Sequence, residues 1–260
     1  MIDFTITIVA YRNYQDILNA VETVERFTAD NVSKVLYVID NSCYEDENPE
    51  KKDFINFISK YEFVVYLDTG KNLGFGAGHN YNLKELDSEF HIIMNPDILL
   101  TEDSLSQIRE FMQDKSIGMC VPRLIDEEGN MQLVYRREIT LFDMFVRMFA
   151  KNIFKKRFAY HTMQDCDLTK PIDVPFAQGS FLVIRTALYQ ELGGFDDRYF
   201  MYMEDADLCK RVNQVSRLVL DPYTSVIHKW EKGSHKNKKL FKIHVQSMMA
   251  YFKKWGFKLV

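Results

Sequence analysis

Phe4-Thr5-Ile6-Thr7-Ile8-Val9-Ala10, closed by Tyr11-Arg12-Asn13, is the stretch on which the fold turns. Its β-branched and apolar residues read as a buried strand. Ile17, Ala20, Val21, Val24 and Phe27 follow at helical spacing. Val35-Leu36-Tyr37-Val38-Ile39 reads as a second strand ending in Asp40-Asn41-Ser42. Phe54, Ile55 and Ile58 suit a further helix, and Phe63-Val64-Val65-Tyr66-Leu67 a third strand. Strands alternating with helices predict βαβ units and a mostly parallel sheet flanked by helices. Ligands of such sheets bind beyond the carboxyl ends of the strands. Tyr11, Asp40 and Asp68 occupy those places.

Gly70-Lys71-Asn72-Leu73-Gly74-Phe75-Gly76-Ala77-Gly78-His79-Asn80 comes next. It follows the third strand rather than the first and its third glycine is misplaced, which argues against a dinucleotide-binding loop. Closely spaced glycines still let a backbone approach a phosphate or sugar ahead of a helix, although a plain strand-to-helix turn explains them equally well. Phe90-His91-Ile92-Ile93-Met94 reads as a fourth strand closed by Asn95-Pro96-Asp97. The proline stops the ladder and aims Asp97 at the crevice, where a carboxylate suits a hard divalent cation shared with a diphosphate.

Later strands are expected at Gly118–Pro122, Val174–Ile184, Arg217–Asp221 and Ser225–His228. A hairpin is expected around Asp126-Glu127-Glu128-Gly129-Asn130, and Thr186 as the cap of a helix reaching Leu192. Helices are further expected over Glu102–Asp114, Asp205–Val215 and Lys239–Lys254. Phe142, Met144, Phe145, Met148, Phe149, Ile153 and Phe154 form an aromatic and aliphatic stripe interleaved with basic residues. Such stripes usually pack on their own domain; contact with a membrane or acceptor is the other reading.

The chain has 260 residues, long enough for one large domain, and a net charge of -4. That charge is unevenly spread: Arg136–Arg157 carries +5 and Lys229–Val260 carries +8, which leaves -17 for the remainder. An acidic body with two basic segments suggests an anionic surface or ligand, not nucleic acid. Cys43, Cys120, Cys166 and Cys209 have no paired spacing, so a zinc site or disulfide framework is not expected. No basic leader precedes the first strand, and no apolar run approaches the roughly 20 residues of a bilayer span. The chain therefore reads as cytoplasmic, with peripheral contact at the inner face of the membrane as a further option.

Met203-Glu204-Asp205-Ala206-Asp207 places three carboxylates at a helix start, after Tyr199, Phe200 and Tyr202. The first-turn N–H groups and the macrodipole favour negative charge there, so a structural role is the simplest reading. Apolar crowding would raise a carboxyl pKa and make one of these residues a general base. His228 ends a strand rather than lying on an apolar helix face, which marks it as a candidate ligand.

In order, Thr7-Ile8-Val9-Ala10-Tyr11-Arg12-Asn13, Val38-Ile39-Asp40-Asn41-Ser42, the glycine loop from Asn72 to Asn80, Met94-Asn95-Pro96-Asp97, Gly179-Ser180-Phe181-Leu182-Val183-Ile184-Arg185, Gly193-Gly194-Phe195-Asp196, Met203-Glu204-Asp205-Ala206-Asp207-Leu208 and Ile227-His228 resemble family 2 glycosyltransferases of the GT-A fold, above all the bacterial rhamnosyltransferase-like members. The resemblance implies a nucleotide-sugar-binding half over 1–97, an acceptor and catalytic half over 98–228, and a basic helical extension over 229–260. It implies that Ala10, Tyr11, Asp40, Lys71, Asn72, Gly76, Asn95 and Asp97 hold the donor, a dTDP-rhamnose or UDP-sugar. Asp97 and His228 would bind a divalent cation, Mg²⁺ or Mn²⁺. Asn95 stands where the family's metal motif has its first acid, which leaves one certain carboxylate. Gly179 and Ser180 would line the sugar and acceptor site. Asp205 would be the base and Glu204 its orienting neighbour. The acceptor implied is a saccharide, in some relatives carried on a lipid diphosphate, in cell-surface polysaccharide synthesis.

Two other functions share some of these features. A sugar-phosphate nucleotidyltransferase wants a glycine-rich, basic loop straight after the first strand, and Tyr11-Arg12-Asn13-Tyr14 is not one. A non-catalytic nucleotide-sugar-binding or assembly protein would explain Asn95 as lost metal binding, but Asp97, Glu204, Asp205 and His228 are all in place.

Overall fold

A computed structural model describes residues 2–44, 47–229 and 238–260. The first segment forms β1 (Ile2–Ala10), α1 (Tyr14–Phe27), β2 (Lys34–Asp40), α2 (Pro49–Ile58), β3 (Val64–Asp68) and the short α3 (Phe75–His79). β1 is buried on both faces from Phe4 to Ile8, as a central parallel strand must be. α1 turns Ile17, Ala20, Val21 and Val24 inward. Next come β4 (Ser88–Met94), β5 (Ile98–Leu99), α4 (Ser104–Phe111), β6 (Ile117–Ile125) and β7 (Tyr135–Arg136). α5 (Leu141–Phe145) continues through a π-helical turn at Val146–Ala150 towards α6 (Lys155–His161). β8 (Ile172–Asp173), β9 (Phe176–Ala177), β10 (Phe181–Arg185), α7 (Thr186–Glu191), α8 (Glu204–Val215), β11 (Arg217–His228) and α9 (Lys238–Trp255) complete the chain.

The main sheet has nine strands in the order β3-β2-β1-β4-β10-β6-β11-β5, with β8 added to β11. β3, β2, β1 and β4 are parallel; β10 lies antiparallel between β4 and β6; β11 runs parallel to β6. β5 and β8 pair antiparallel with β11, and β7 and β9 form a separate ribbon. The sheet is mostly parallel, as expected: six of its nine strands point one way, and β10, β5 and β8 run against them. One core spans it, from Ile6 and Val38 through Ile92 and Val183 to Cys120 and Leu220.

This topology gathers one edge. The carboxyl ends of β1, β2, β3 and β4 deliver Tyr11, Asp40, Asp68 and Asn95 there. β10 runs the other way, so its first residue, Phe181, pairs with Met94 and brings Ser180 to the same edge. β11 again points forward, and its last residue, His228, pairs with Ile98 of β5.

Four local expectations are corrected. Val174–Ile184 is not one strand: Gln178-Gly179-Ser180 breaks it into β9 and β10, which join different sheets. Arg217–Asp221 and Ser225–His228 are one strand with a register break between Asp221 and Ser225, where Pro222 has no N–H to give the ladder. The hairpin after β6 shrinks to an isolated bridge between Ile125 and Met131. Arg185, not Thr186, occupies the N-cap position of α7, with no side-chain cap; the Thr186 hydroxyl pairs instead with that of Ser88 at 2.9 Å.

Candidate active site

The acidic motif opens α8 after a strained approach. Tyr202 (φ 71°) and Met203 (φ 69°) are both left-handed, a rare conformation for side chains of this size. This turn delivers Glu204 and Asp205 as the first two helical residues. Asp205 Oδ2 accepts the Gly179 N–H at 3.1 Å and Oδ1 accepts the Ala206 N–H at 2.8 Å. The approach is close: a Cβ on Gly179 would lie 3.1 Å from Asp205 Cβ. Burial raises the Asp205 pKa, opposed by these two N–H groups and by the cations Arg136 and Arg147. Glu204 is 5% exposed, and its Oε2 has no partner. Burial first, and the Asp205 charge second, push its pKa up to about 8. Because the Asp205 charge is one cause of that rise, Glu204 is the member of the pair that holds its proton to the higher pH. Asp207 is spent on structure, accepting from Arg211 Nε at 2.7 Å, Trp255 Nε1 at 2.8 Å and Lys254 Nζ at 2.6 Å.

The turn at 178–180 ties Asp205 to the end of β4. The Asn95 N–H donates to the Ser180 carbonyl at 2.8 Å. Asn95 Oδ1, Asp97 Oδ1 and Ser180 Oγ are buried there without hydrogen-bond partners. Asp97 Oδ2 lies 3.5 Å from His228 Nε2. Gln132 holds the other side of that ring: its Nε2 donates to the His228 carbonyl at 2.8 Å, so its Oε1, 2.7 Å from Nδ1, accepts from it. That network assigns the proton to Nδ1 and leaves a lone pair on Nε2 facing Asp97. Burial also lowers the His228 pKa, which favours the neutral imidazole. An orphaned carboxylate oxygen, an orphaned amide oxygen and an imidazole lone pair suit a divalent cation. No cluster of three His, Cys, Asp or Glu side chains forms a cage among the described residues, so a ligand's oxygens have to complete the shell.

At the other end of the edge, Asp40 is fully buried beside Ala10, its partner in β1. Its Oδ2 accepts from the Tyr14 and Tyr66 hydroxyls at 2.9 and 2.6 Å, and its Oδ1 from the Ser42 N–H at 2.8 Å. A ligand hydroxyl reaching Asp40 would compete with the two tyrosines. Tyr11, which follows Ala10, is half exposed, and Lys71 and Asn72 are exposed. Ser42, Tyr44, Asn48, Lys51 and Asp68 line a cavity of about 660 Å³ beside this strand end.

The glycine loop has a packing explanation. Gly74 has φ 85°, and a Cβ there would sit 2.1 Å from the Phe200 carbonyl oxygen. Cβ atoms on Gly76 and Gly78 would each come within 2.9 Å of a core side chain, Phe195 and Val9. The loop lets α3 lie on β1 and carries the segment before α8; Phe75 N–H donates to Phe200 O at 2.9 Å.

The structure thus joins Asp205, Gly179, Ser180, Asn95, Asp97 and His228 in one chain of contacts, with Asp40 and Tyr11 along the same edge. Sequence reasoning missed Gln132, Tyr14 and Tyr66, which act on His228 and Asp40 from 96, 26 and 26 residues away. It also missed the proximity of Arg136 and Arg147 to Asp205; their place in a basic stretch was the one visible sign.

An α/β fold of the GT-A class, with a carboxylate pair, Glu204 buried and Asp205 half-buried, tied to the strand-end edge, is what these observations define. The family model described as glycosyl transferase family 2 matches residues 5–193. The chain belongs to that family. It is 25% identical over 205 residues to the rhamnosyltransferase WbbL of Escherichia coli, covering 74% of each chain. It is 27% identical over 186 residues to the N-acetylglucosaminyl-diphospho-decaprenol L-rhamnosyltransferase of Mycobacterium tuberculosis, covering 66% of this chain and 60% of that relative. Among solved structures, GalNAc-T7 with UDP, GalNAc and Mn²⁺ superposes with a TM-score of 0.68 at 14% identity, over 96% of this chain and 48% of that one. At that identity the likeness speaks for the fold.

Proposed function

We propose that the protein is an inverting glycosyltransferase that moves rhamnose from dTDP-rhamnose to a hydroxyl of a saccharide acceptor carried on a lipid diphosphate, in the synthesis of a cell-surface polysaccharide. The observation that carries this reading is Asp205, a desolvated carboxylate held by the Gly179 N–H and linked through Ser180 to the Asn95-Pro96-Asp97 turn. The relatives named as rhamnosyltransferases support the choice of sugar. The substrate in the name of the mycobacterial relative, a sugar on a diphospho-decaprenol, supports the acceptor.

The acceptor hydroxyl is a poor nucleophile until a base takes its proton. Asp205 takes it as the acceptor oxygen bonds to the anomeric carbon and the carbon–oxygen bond to the diphosphate breaks on the opposite face. Glu204, still protonated, adds no second negative charge beside the base, whose strength is raised by burial. One displacement inverts the centre, and the nucleoside diphosphate leaves with the bonding pair. Asp97 and His228 would hold the divalent cation, Mg²⁺ or Mn²⁺, with Asn95 beside them; bound there, it offsets the charge gathering on the diphosphate. In this reading Ala10, Tyr11, Asp40, Lys71, Asn72 and Gly76 surround the nucleotide, and Gly179 and Ser180 the transferred sugar and acceptor.

The membrane contact in this reading belongs to the face of Phe145, Phe149, Ile153 and Phe154, which is exposed rather than packed. Lys151, Lys155 and Lys156 flank it, a composition suited to an anionic surface. No helix among the described residues is long and apolar enough to cross a membrane. Part of the basic segment over 229–260 lies outside the described residues. Within it, Lys254 pairs with Asp196 and Asp207, and Lys258 with Glu138, so those charges serve the fold.

Thermal melting with a panel of nucleotide sugars and Mn²⁺ tests the reading. A ligand that binds only the folded state raises stability by RT ln(1 + [L]/Kd), about 2.7 kcal/mol at a hundredfold excess over Kd. dTDP-rhamnose should raise the melting temperature in a Mn²⁺-dependent way. No shift with any nucleotide sugar would contradict the proposal.

A further inference from the structure

Arg136 and Arg147 have no part in the chemistry above. Arg136 closes β7 at 6% exposure; its guanidinium lies 5.1 Å from the centre of the Phe176 ring, and its Nε has no hydrogen-bond partner. Arg147, on the π-helical turn, is half-buried, and neither arginine has an ion-pair partner among the described residues. Each lies within electrostatic reach of Asp205, and Arg147 within reach of Arg136.

The neighbourhood is short of negative charge. Arg157 shares it, but takes Asp143 through two bonds of 2.6 and 2.7 Å. His161, 3% exposed and influenced by all three guanidiniums, is held neutral, with a pKa of about 4 caused by burial. Three permanent cations therefore face two carboxylates, one fully used by Arg157 and the other the proposed base. Arginine stays protonated in proteins, and a desolvated cation without a counter-charge is unfavourable unless an anion joins it. The guanidinium fork fits phosphate oxygens in pairs.

The position narrows the anion. Arg136 pairs with Phe176 of β9, three residues before Gly179, whose N–H holds Asp205. Asp97 and His228 lie instead at the main-sheet edge formed by β4, β5 and β11. Arg147 shares its helical insertion with the exposed Phe145 and Phe149. We propose that Arg136 and Arg147 form an anion subsite that grips a phosphate or diphosphate group of the acceptor beside Asp205, an assignment that rests on the glycosyltransferase reading. A diphosphate held there would set the acceptor hydroxyl against the base, and would separate phosphate-bearing acceptors from neutral sugars.

Calorimetric titration of the full chain with inorganic pyrophosphate in metal-free buffer tests the subsite. Wild type should bind, and Arg136→Gln and Arg147→Gln should each weaken binding at least tenfold. A second titration, with dTDP and Mn²⁺, should give the same Kd within twofold in wild type and both variants. Unchanged pyrophosphate affinity in both variants would overturn the proposal. So would an equal loss of dTDP binding, because the pair would then serve the donor. If wild type binds pyrophosphate through these arginines but binds no nucleoside diphosphate, the transferase reading fails and the acceptor assignment falls with it. Removing an unpaired buried charge should not lower the melting temperature; should Arg136→Gln nevertheless fail to fold, Arg147→Gln and Arg136→Lys, which keeps the charge without the fork, carry the same comparison.

Discussion

Glu204 and Asp205 sit side by side at the start of α8, yet their surroundings give them different protonation. The carboxyl of Glu204 rises from 4.5 to about 8 in the fold. Between those values the folded chain holds a proton that the unfolded chain has released. Stability from this group is therefore greatest below the unfolded value and falls as pH rises through the window, by up to about 1.4 kcal/mol per pH unit. Glu204→Gln removes the titration. Its melting temperature should exceed that of wild type near pH 8 and match it near pH 4.5; equal melting temperatures at the higher pH would contradict this assignment. Gln132 offers a second test at this scale. It orients His228 through two hydrogen bonds, and Gln132→Leu should weaken Mn²⁺ binding in the presence of dTDP by about 10- to 100-fold, measured by electron paramagnetic resonance. At the residue scale the acidic motif, Asp97 and His228 were legible as candidates. Their assistants were not, since nothing local in Leu133 or Val134 marks Gln132 as facing a histidine 96 residues on.

At the level of elements, β1 to β4 are legible because each is a short run rich in β-branched, aromatic and aliphatic residues flanked by turn residues. The insertion of β10 between β4 and β6 is not, because antiparallel pairing across that distance leaves no periodic trace in the chain. Val174–Ile184 looks continuous to pattern reasoning, yet its middle is the turn that supplies Gly179 to Asp205. The glycine loop shows the opposite case: its composition suggests ligand approach, whereas the contacts of Gly74, Gly76 and Gly78 are tertiary packing. Gly74→Ala places a Cβ against the Phe200 carbonyl at a left-handed position and should destabilise the fold by well over about 1 kcal/mol in urea unfolding. A neutral effect would mean that the loop moves freely of α8's approach.

Across the whole molecule, α9 is bound to the acidic motif. Ser247 donates to the Met201 carbonyl at 2.8 Å, Tyr251 and Phe252 are buried, and Lys254 and Trp255 both reach Asp207. The basic stretch that reads as a tail is thus in part a clamp on the helix that carries Asp205. Asp207→Ala strips Arg211 of its carboxylate and leaves Lys254 with Asp196 alone, and should cost about 3–5 kcal/mol of stability by denaturant melt, as broken buried ion pairs do. A loss below about 1 kcal/mol would show that α9 does not depend on this carboxylate.

The central claim is that Asp205 removes the acceptor proton in a crevice built for a nucleotide sugar. Transfer rate and donor affinity measured together on Asp205→Asn test it most directly, with dTDP-rhamnose and Mn²⁺ as donor and cation. The expected result is a rate lowered by about 10²- to 10⁴-fold with donor binding unchanged. Turnover at the wild-type rate would contradict it.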